Sequence, residues 1–472
     1  MKLKVNAKLD PQFTPLSLVC RDMREKTKEN GQDIVIAVER NKGYTTTYKT
    51  RVFKDGTGHD EENFNFVERM AKALLWVAGG YKIIIAGSDV IGAKIKEAFS
   101  YGGLRDFDVK FMERVYETKF EVVSCALENA PEDKSSAAPI GRHLDGCRIG
   151  FDAGGSDRKV SAVINGESVY SEEVVWFPKT NSDPDYHYQG ILDAMKTAAS
   201  KMPRVDAIGV SSAGVYVDNR IMVASLFLKV NDEDFDKKVK NMYIDVAKEI
   251  GENIPIEVAN DGDVTALAGA MDLNDNAVLG IAMGTSEAGG YVDPQGNITG
   301  WLNELAFVPV DFCRDAMVDE WSGDYGCGVK YFSQDAVIKL APAAGIELDE
   351  NLSPAEKLKI VQGLMALASG GLFGTGLGLG MPSYIPASTT DYIFAVIGEE
   401  FGIIVAIFVI LFYVLLIVRG ILIAINARNT FDALLVFGCC SMLALQSFII
   451  IGGVIKLIPL TGITLPFVSS GG

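Results

Sequence analysis

Basic charge is the first thing this sequence lacks. Its 44 lysines and arginines face 61 aspartates and glutamates, a formal net charge of −17 over 472 residues. No basic patch is available to neutralise phosphates, so a nucleic-acid partner is not expected. A disulfide framework is lacking too. The seven cysteines, Cys20, Cys125, Cys147, Cys313, Cys327, Cys439 and Cys440, are scattered and odd in number, which fits a reducing compartment. The opening MKLKVNAKLDPQF has no apolar stretch of the signal-peptide kind, and the soluble part is expected to be made, and to stay, in the cytoplasm. The last lack is local. From Gly363 to Gly472 the only acidic or basic side chains are Asp391, Glu399, Glu400, Asp432, Arg419, Arg428 and Lys456, which leaves −16 of the formal charge upstream.

What is present divides accordingly. Residues 1–127 read as an N-terminal α/β region: DIVIAVER and YTTTYKTRVF are strands around an Asn41-Lys42-Gly43 turn, FNFVERMAKALLWVAGG is a helix closed by glycines, and Ser88 caps a second helix. Residues 128–146, rich in proline, serine and charge, read as a linker. Residues 147–362 form a long α/β stretch in which one amphipathic helix is expected from an Asn231 cap to a Gly251 stop. Ser353-Pro354-Ala355-Glu356 is a capping box that opens another helix. Residues 363–400 are glycine-rich and almost uncharged. Within 401–472, Phe401–Val418 and Ala433–Val454 are uncharged runs of 18 and 22 residues. A hydrocarbon core asks for about 20 apolar residues, so two membrane spans are expected.

Two places pack glycines directly behind apolar strands. In FDAGGSDRK, Asp152 ends a strand and Gly154, Gly155 and Ser156 form the turn; 130 residues on, AMGTSEAGG repeats the design with Gly284, Thr285 and Ser286. Glycine lets backbone N–H groups approach phosphate oxygens, and a neighbouring carboxylate can hold Mg²⁺ through water. VANDGD lies between the two loops, with Asp261 at a strand end that opens a helix; a carboxylate there serves either as a general base or as a cap of that helix.

The order of these motifs resembles the actin/hexokinase ATPase superfamily and, over about 148–340, the ROK sugar kinases (repressor, open reading frame, kinase). The resemblance implies a two-lobed α/β ATPase fold, ATP and Mg²⁺ as cofactors and a small sugar as substrate. Carried onto this sequence, Asp261 would be the catalytic base, Asn260 and Glu304 would bind sugar hydroxyls, Asp152 would organise Mg²⁺, and the two glycine loops would cradle phosphate. Several positions depart from the family. Asp157 stands where the family has lysine and Phe307 where it has the histidine of E-x-G-H. Of its zinc-binding cysteines only Cys313 and Cys327 remain, so no zinc site is expected.

The C-terminal part resembles the FtsW/RodA (SEDS) proteins, glycosyltransferases that polymerise lipid II into peptidoglycan in the bacterial plasma membrane. SGGLFGTGLGLG, TTDYIFAVIGEEFG and IPLTGITLPFVSSGG carry the resemblance. It puts the essential acid at Asp391, a candidate base toward an acceptor sugar, and aligns Glu399 and Glu400 with the family's acidic pair; the same two residues could equally be interfacial anchors. Gln446 is polar in mid-span and is expected to face a bundle interior. The resemblance covers two of about ten spans and stops within the signature, so polymerase activity is not expected from this chain alone.

The reading that follows is a chimaera: an ATP-dependent sugar-kinase-like enzyme domain joined near Ile360–Ala366 to a fragment of a wall polymerase. Arg419 and Arg428 after the first span place that end in the cytoplasm. The Asp391 loop and the domain before it then fall outside, in conflict with use of ATP. The alternative is a membrane-anchored, non-catalytic sugar- or nucleotide-binding sensor.

Overall fold

The computed structural model describes residues 6–135, 141–284, 286–382, 385, 387–459 and 461–470. The chain divides into two compact units, Met1–Ser333 and Gln334–Gly472.

Unit 1 begins with α1 (Leu16–Lys26) and a four-stranded sheet ordered β2 (Tyr44–Phe53), β1 (Gly31–Arg40), β3 (Lys82–Ala86), β4 (Glu121–Cys125). β1 and β2 pair antiparallel along their whole length, from Gly31↔Phe53 to Arg40↔Tyr44. The turn between them needs left-handed backbone at Lys42 (φ 60°) and Gly43 (φ 67°), which glycine at the second position makes easy. Helix α2 (Asp60–Ala78) carries Asp60, Glu61 and Glu62 in its first turn, where the helix dipole favours acids, and stops at Gly79 (φ 76°). Ser88 caps α3 (Asp89–Ala98), its Oγ accepting the Ile91 N–H at 3.1 Å. With α4 (Asp106–Tyr116) these helices bury Phe66, Leu75, Trp76, Ile95 and Met112 against Ile34, Ile36, Ile83 and Ile85 of the sheet. Each such side chain contributes roughly 1.5–3 kcal/mol. The start of the expected linker is strapped along β2: Lys134 and Thr45 exchange backbone hydrogen bonds of 2.8 and 2.9 Å.

A second sheet of five strands carries the glycine motif. Its order is β11 (Ile256–Asn260), β8 (Ala207–Ser212), β5 (Cys147–Ala153), β6 (Asp157–Ile164), β7 (Glu167–Val175). β5, β6 and β7 form an antiparallel meander, whereas β8 and β11 run parallel to β5. Cys147, Ile149, Phe151 and Ala153 alternate onto one face and are buried beneath α5 (Pro184–Ala199) and α7 (Met242–Ile250). The short hairpin β9 (Val215–Val217) and β10 (Arg220–Val223) follows β8.

The helix expected from Asn231 to Gly251 is not continuous. A single turn, α6 (Asp232–Asp234), passes into a π-turn at Phe235–Val239 before α7 begins. The cause is tertiary: the Lys240 carbonyl accepts the Ile221 N–H of β10 at 2.9 Å, while the Lys240 N–H reaches back to Phe235 O. Directly after β11, α8 (Asp261–Leu273) packs on a two-stranded sheet, β12 (Val278–Met283) and β13 (Glu287–Val292). This is the smaller second lobe, and in it Leu279, Ile281 and Met283 stay exposed. The two-lobed α/β fold expected of the soluble part is thus the fold observed, with one lobe much reduced.

Unit 2 holds α9 (Gln334–Leu340), α10 (Pro354–Gly370), α11 (Ile393–Ile425) and α12 (Thr430–Val454). Both halves of the capping box form at Ser353 and Glu356. α11 and α12 are long and apolar enough to cross a membrane. α11 starts ahead of the uncharged run and is broken at Gly402 (φ 82°), just beyond the buried acidic pair Glu399 and Glu400.

Candidate functional sites

The first candidate site lies where the parallel strands of unit 1 end together. Asp152 stands opposite Ser211, and Ser212 opposite Asn260, so the carboxyl ends of β5, β8 and β11 bring these residues to one sheet edge. Crevices at such edges are where open α/β sheets take ligands. Asp152 also borders a cleft of about 700 Å³ that runs along the sheet face from Arg148 and Pro255, lined by Gly150, Ser161, Gly209 and Leu267 and not by Asn260, Asp261 or Glu304. Asn260 caps α8: its Oδ1 accepts the Gly262 N–H at 2.7 Å and its Nδ2 donates to Gly214 O at 2.7 Å. That fixes Asp261 in the first turn of the helix. Burial raises the Asp261 carboxyl above its ordinary range, the charge of Asp152 adds to the rise, and the Gly262 N–H opposes it.

The segment carrying Glu304 is tied to the last turn of α2, the N–H groups of Leu302, Asn303 and Glu304 donating to Ala78, Val77 and Trp76. Burial, with Asp261 and Asp263 nearby, pushes Glu304 up to about 7. The sequence reading missed two further acids of this cluster. Asp263 is pushed to about 6 by burial although Asn303 donates to it at 2.9 Å, and Glu287 to about 7 by burial and then by Glu304. One oxygen of Glu287 is buried without a partner among the described residues.

The first glycine loop is held by Trp176, whose indole N–H donates to Gly154 O at 2.8 Å and whose backbone N–H donates to Ser156 O at 3.0 Å. A β-carbon built on Gly155 would lie 3.0 Å from Nζ of Lys179. An exposed cation thus stands over the loop, though Asp157 occupies the position of the ROK family's lysine. Nothing in the local spacing announces it, because Lys179 arrives from beyond β7. The second loop is the turn of the β12–β13 hairpin: the Gly284 N–H donates to Ser286 O at 3.0 Å, and Thr285 lies outside the described residues. Phe307 joins an aromatic cluster, with ring centroids 4.4 Å from Trp76 and 5.5 Å from Phe107. Cys327 is fully buried 3.8 Å from the ammonium of Lys72, its thiol pushed up to about 11 by burial, while Cys313 is half-buried.

The second candidate site is in unit 2. Asp391 precedes α11, and the 462–470 segment folds over this region. A β-carbon on Gly462 would lie 3.7 Å from Asp391 Oδ2, Ser469 Oγ donates to Thr390 O at 2.8 Å, and the Ser470 N–H donates to Thr389 O at 2.8 Å. The Gln446 amide donates to Thr464 O at 3.0 Å, and Tyr413 donates to Pro466 O, so both helices grip the same segment. Glu399 and Glu400 do not share the Asp391 contacts. They are buried against the glycine-rich loop: Thr375 and Gly376 donate backbone N–H bonds to the carbonyls of Glu399 and Glu400 at 2.9 and 3.0 Å, and Ser369 Oγ donates to Glu399 Oε1 at 3.4 Å.

Comparison with known proteins separates the same two parts. Residues 348–472 match the family model of the FtsW/RodA/SpoVE cell cycle proteins. Over 114 residues the chain is 49% identical to the peptidoglycan glycosyltransferase RodA of Mycobacterium bovis, covering 24% of this chain and 24% of that protein. Over 147 residues it is 42% identical to the probable peptidoglycan glycosyltransferase FtsW of Bacillus subtilis, covering 30% and 36%. The chain therefore spans between a quarter and about a third of these relatives. Among solved structures, the ROK hexokinase of Thermus thermophilus aligns with 17% identity and a TM-score of 0.34 over 47% of this chain and 75% of that one. A ROK-family transcriptional regulator, a homologue of the Escherichia coli MLC protein, aligns with 17% identity and a TM-score of 0.35 over 48% and 63%.

Proposed function

We propose that unit 1 is an ATP-dependent sugar phosphotransfer module and that unit 2 is part of a lipid II polymerase of the FtsW/RodA kind, embedded in the bacterial plasma membrane by α11 and α12. The observation that carries the first half is the placing of Asp152 and Asp261 at the ends of parallel strands of one sheet, where the charge of Asp152 acts on Asp261. In this reading Asp261, its carboxyl raised toward the working pH of a base, takes the proton of a sugar hydroxyl. Asn260 is committed to its cap and positions Asp261, while Glu304 faces the sugar. Asp152 would hold Mg²⁺ through water, an ion that would offset the repulsion between the two aspartates. Gly154, Gly155 and Ser156 would receive phosphate with Lys179 as the local cation, and Gly284, Thr285 and Ser286 would close on it from the second lobe. In unit 2, Asp391 beneath the 462–470 segment is the candidate base toward an acceptor sugar on a lipid-linked substrate, and two helices alone do not enclose such a substrate.

The test is phosphoryl transfer by the full chain in detergent, from Mg·ATP to glucose, N-acetylglucosamine and N-acetylmannosamine. Transfer to one of them above background supports the kinase reading; binding of ATP with no transfer to any overturns it in favour of a sensor. Phe307, packed among Trp76 and Phe107 where the family has the E-x-G-H histidine, favours the sensor, as does the small second lobe with its exposed Leu279, Ile281 and Met283.

A family match that begins at residue 348, within unit 2, supports the reading of the chain as a junction of two genes, with the change of family lying upstream of the expected Ile360–Ala366. A single membrane protein of about 51 kDa in source cells, seen by antibodies to both units, would refute that.

A further inference from the structure

Arg40, at the end of β1, is 4% exposed and has no acidic partner among the described residues. Its guanidinium donates to two carbonyls, Ala78 O at 3.0 Å and Thr299 O at 3.4 Å, which satisfies part of its five-donor fork, and it stands 5.6 Å from the centre of the Tyr44 ring, so its charge meets an aromatic face and no carboxylate. The acids nearby are engaged elsewhere. Glu39 sits with Lys82 (3.6 Å) and Tyr81 (3.4 Å), and Asp218 with Lys42 (2.5 Å) and Asn41 (3.4 Å). A buried, uncompensated charge is expensive, and proteins keep one where something else completes it. Burial works directly against the charged form of this group.

Arg40 also lines a cavity of about 140 Å³, together with Lys42, Tyr44, Tyr216, Trp301 and Asp218, the last held by Lys42. One lining residue carries a further donor: the Trp301 indole N–H is buried without a partner among the described residues. The lining thus holds a buried cation, an N–H without an acceptor and the Lys42–Asp218 ion pair, with aromatic rings beside them. The cavity is built by both halves of unit 1, since the β1–β2 turn and the end of α4 come from the N-terminal region and the remainder from the β9–β10 hairpin and residues 300–302.

We propose that this cavity is a binding site for a small oxyanion, a carboxylate or phosphate group, carried by a ligand of about sugar size. The guanidinium of Arg40 takes the anion, the Trp301 N–H adds a hydrogen bond, and the rings of Tyr44 and Tyr216 give the ligand body an apolar wall. The site gives the N-terminal region a purpose that phosphotransfer does not require, and it stands whether or not unit 1 is a kinase.

The test is calorimetric titration of the full chain in detergent at low salt with inorganic phosphate and with D-glucuronate, and with D-glucose as the neutral control. Both anions are expected to bind. Arg40→Met is expected to weaken both by about tenfold or more, the loss typical of a hydrogen bond to a charged group, and to leave any glucose binding unchanged. Trp301→Phe keeps an aromatic ring, removes the donor, and is expected to weaken both anions about threefold or more while the protein stays folded, which keeps the test valid if Arg40→Met does not fold. Absence of binding by both anions overturns the proposal, as do parent-like affinities in Trp301→Phe and folded Arg40→Met. Binding that survives Arg40→Met and is lost in Lys179→Ala places the anion on the glycine loop and also overturns it.

Discussion

The carboxylate of Asp324 lies 2.5 Å from a guanidinium nitrogen of Arg69, 255 residues earlier in the chain. The same oxygen is 2.5 Å from Lys72 Nζ and 2.7 Å from a nitrogen of Arg105, and all four side chains are buried. With Glu68 and Asp108 completing the balance, this network pins the segment around residue 324 to α2 and α4. Asp324→Asn would leave buried cations uncompensated and is expected to cost about 3–5 kcal/mol, read by urea denaturation of the full chain in detergent. The cations hold the Asp324 carboxyl well below its ordinary value of 3.8, although burial alone would raise it. Its contribution is therefore complete above pH 3.8 and drains only as pH falls further, so the difference between parent and variant should be constant from pH 5 to 8.

The acids near Asp261 behave in the opposite sense. Glu287 and Glu304 rise from 4.5 to about 7, so the folded state favours their protonated forms. That stabilisation is full below pH 4.5 and is lost as pH rises through about 7. The Tm of the full chain is expected to fall between pH 5 and 8, and Glu287→Gln to flatten part of that slope. Equal slopes in parent and variant would show that the Glu287 carboxyl is not held protonated.

Asp261→Asn keeps the shape of the first turn of α8 and removes the base. It is expected to lower phosphoryl transfer by about 10²–10⁴ while ATP affinity stays within about twofold, the split that distinguishes a proton acceptor from a helix cap. Single-turnover transfer beside equilibrium nucleotide binding makes the comparison. If the Asn variant transfers as fast as the parent, Asp261 acts only as a turn residue.

Gly402 breaks α11 with φ 82° and lies under the glycine-rich loop, the Ile403 N–H donating to Gly371 O at 2.9 Å. A β-carbon there would meet Leu372 O at 2.5 Å in a backbone conformation that L residues rarely adopt. Gly402→Ala is expected to cost about 1–3 kcal/mol from backbone strain, with the steric clash in addition. The loop should loosen, which faster proteolysis between residues 371 and 380 in detergent would report.

Much of this molecule is legible along the chain. The capping box at Ser353 and Glu356 closes as the residues require, and the uncharged runs become α11 and α12, because hydrogen bonds within one turn and the absence of charge are local properties. The strand-then-glycine pattern likewise places Asp152 and Asp261 at strand ends. What the sequence could not decide were relations between distant segments. Strand order sets Asp152 two strands from Asn260, and packing sets Lys179 over Gly155, three cations on Asp324, Gly462 beside Asp391, and Arg40 in the same cavity lining as Trp301. The break between Asn231 and Gly251 belongs with these, since a helical period carries no sign that Ile221 will claim the Lys240 carbonyl. Local pattern selects the elements. Which buried groups meet, and which remain unsatisfied and so mark a site, is settled only when the elements pack together.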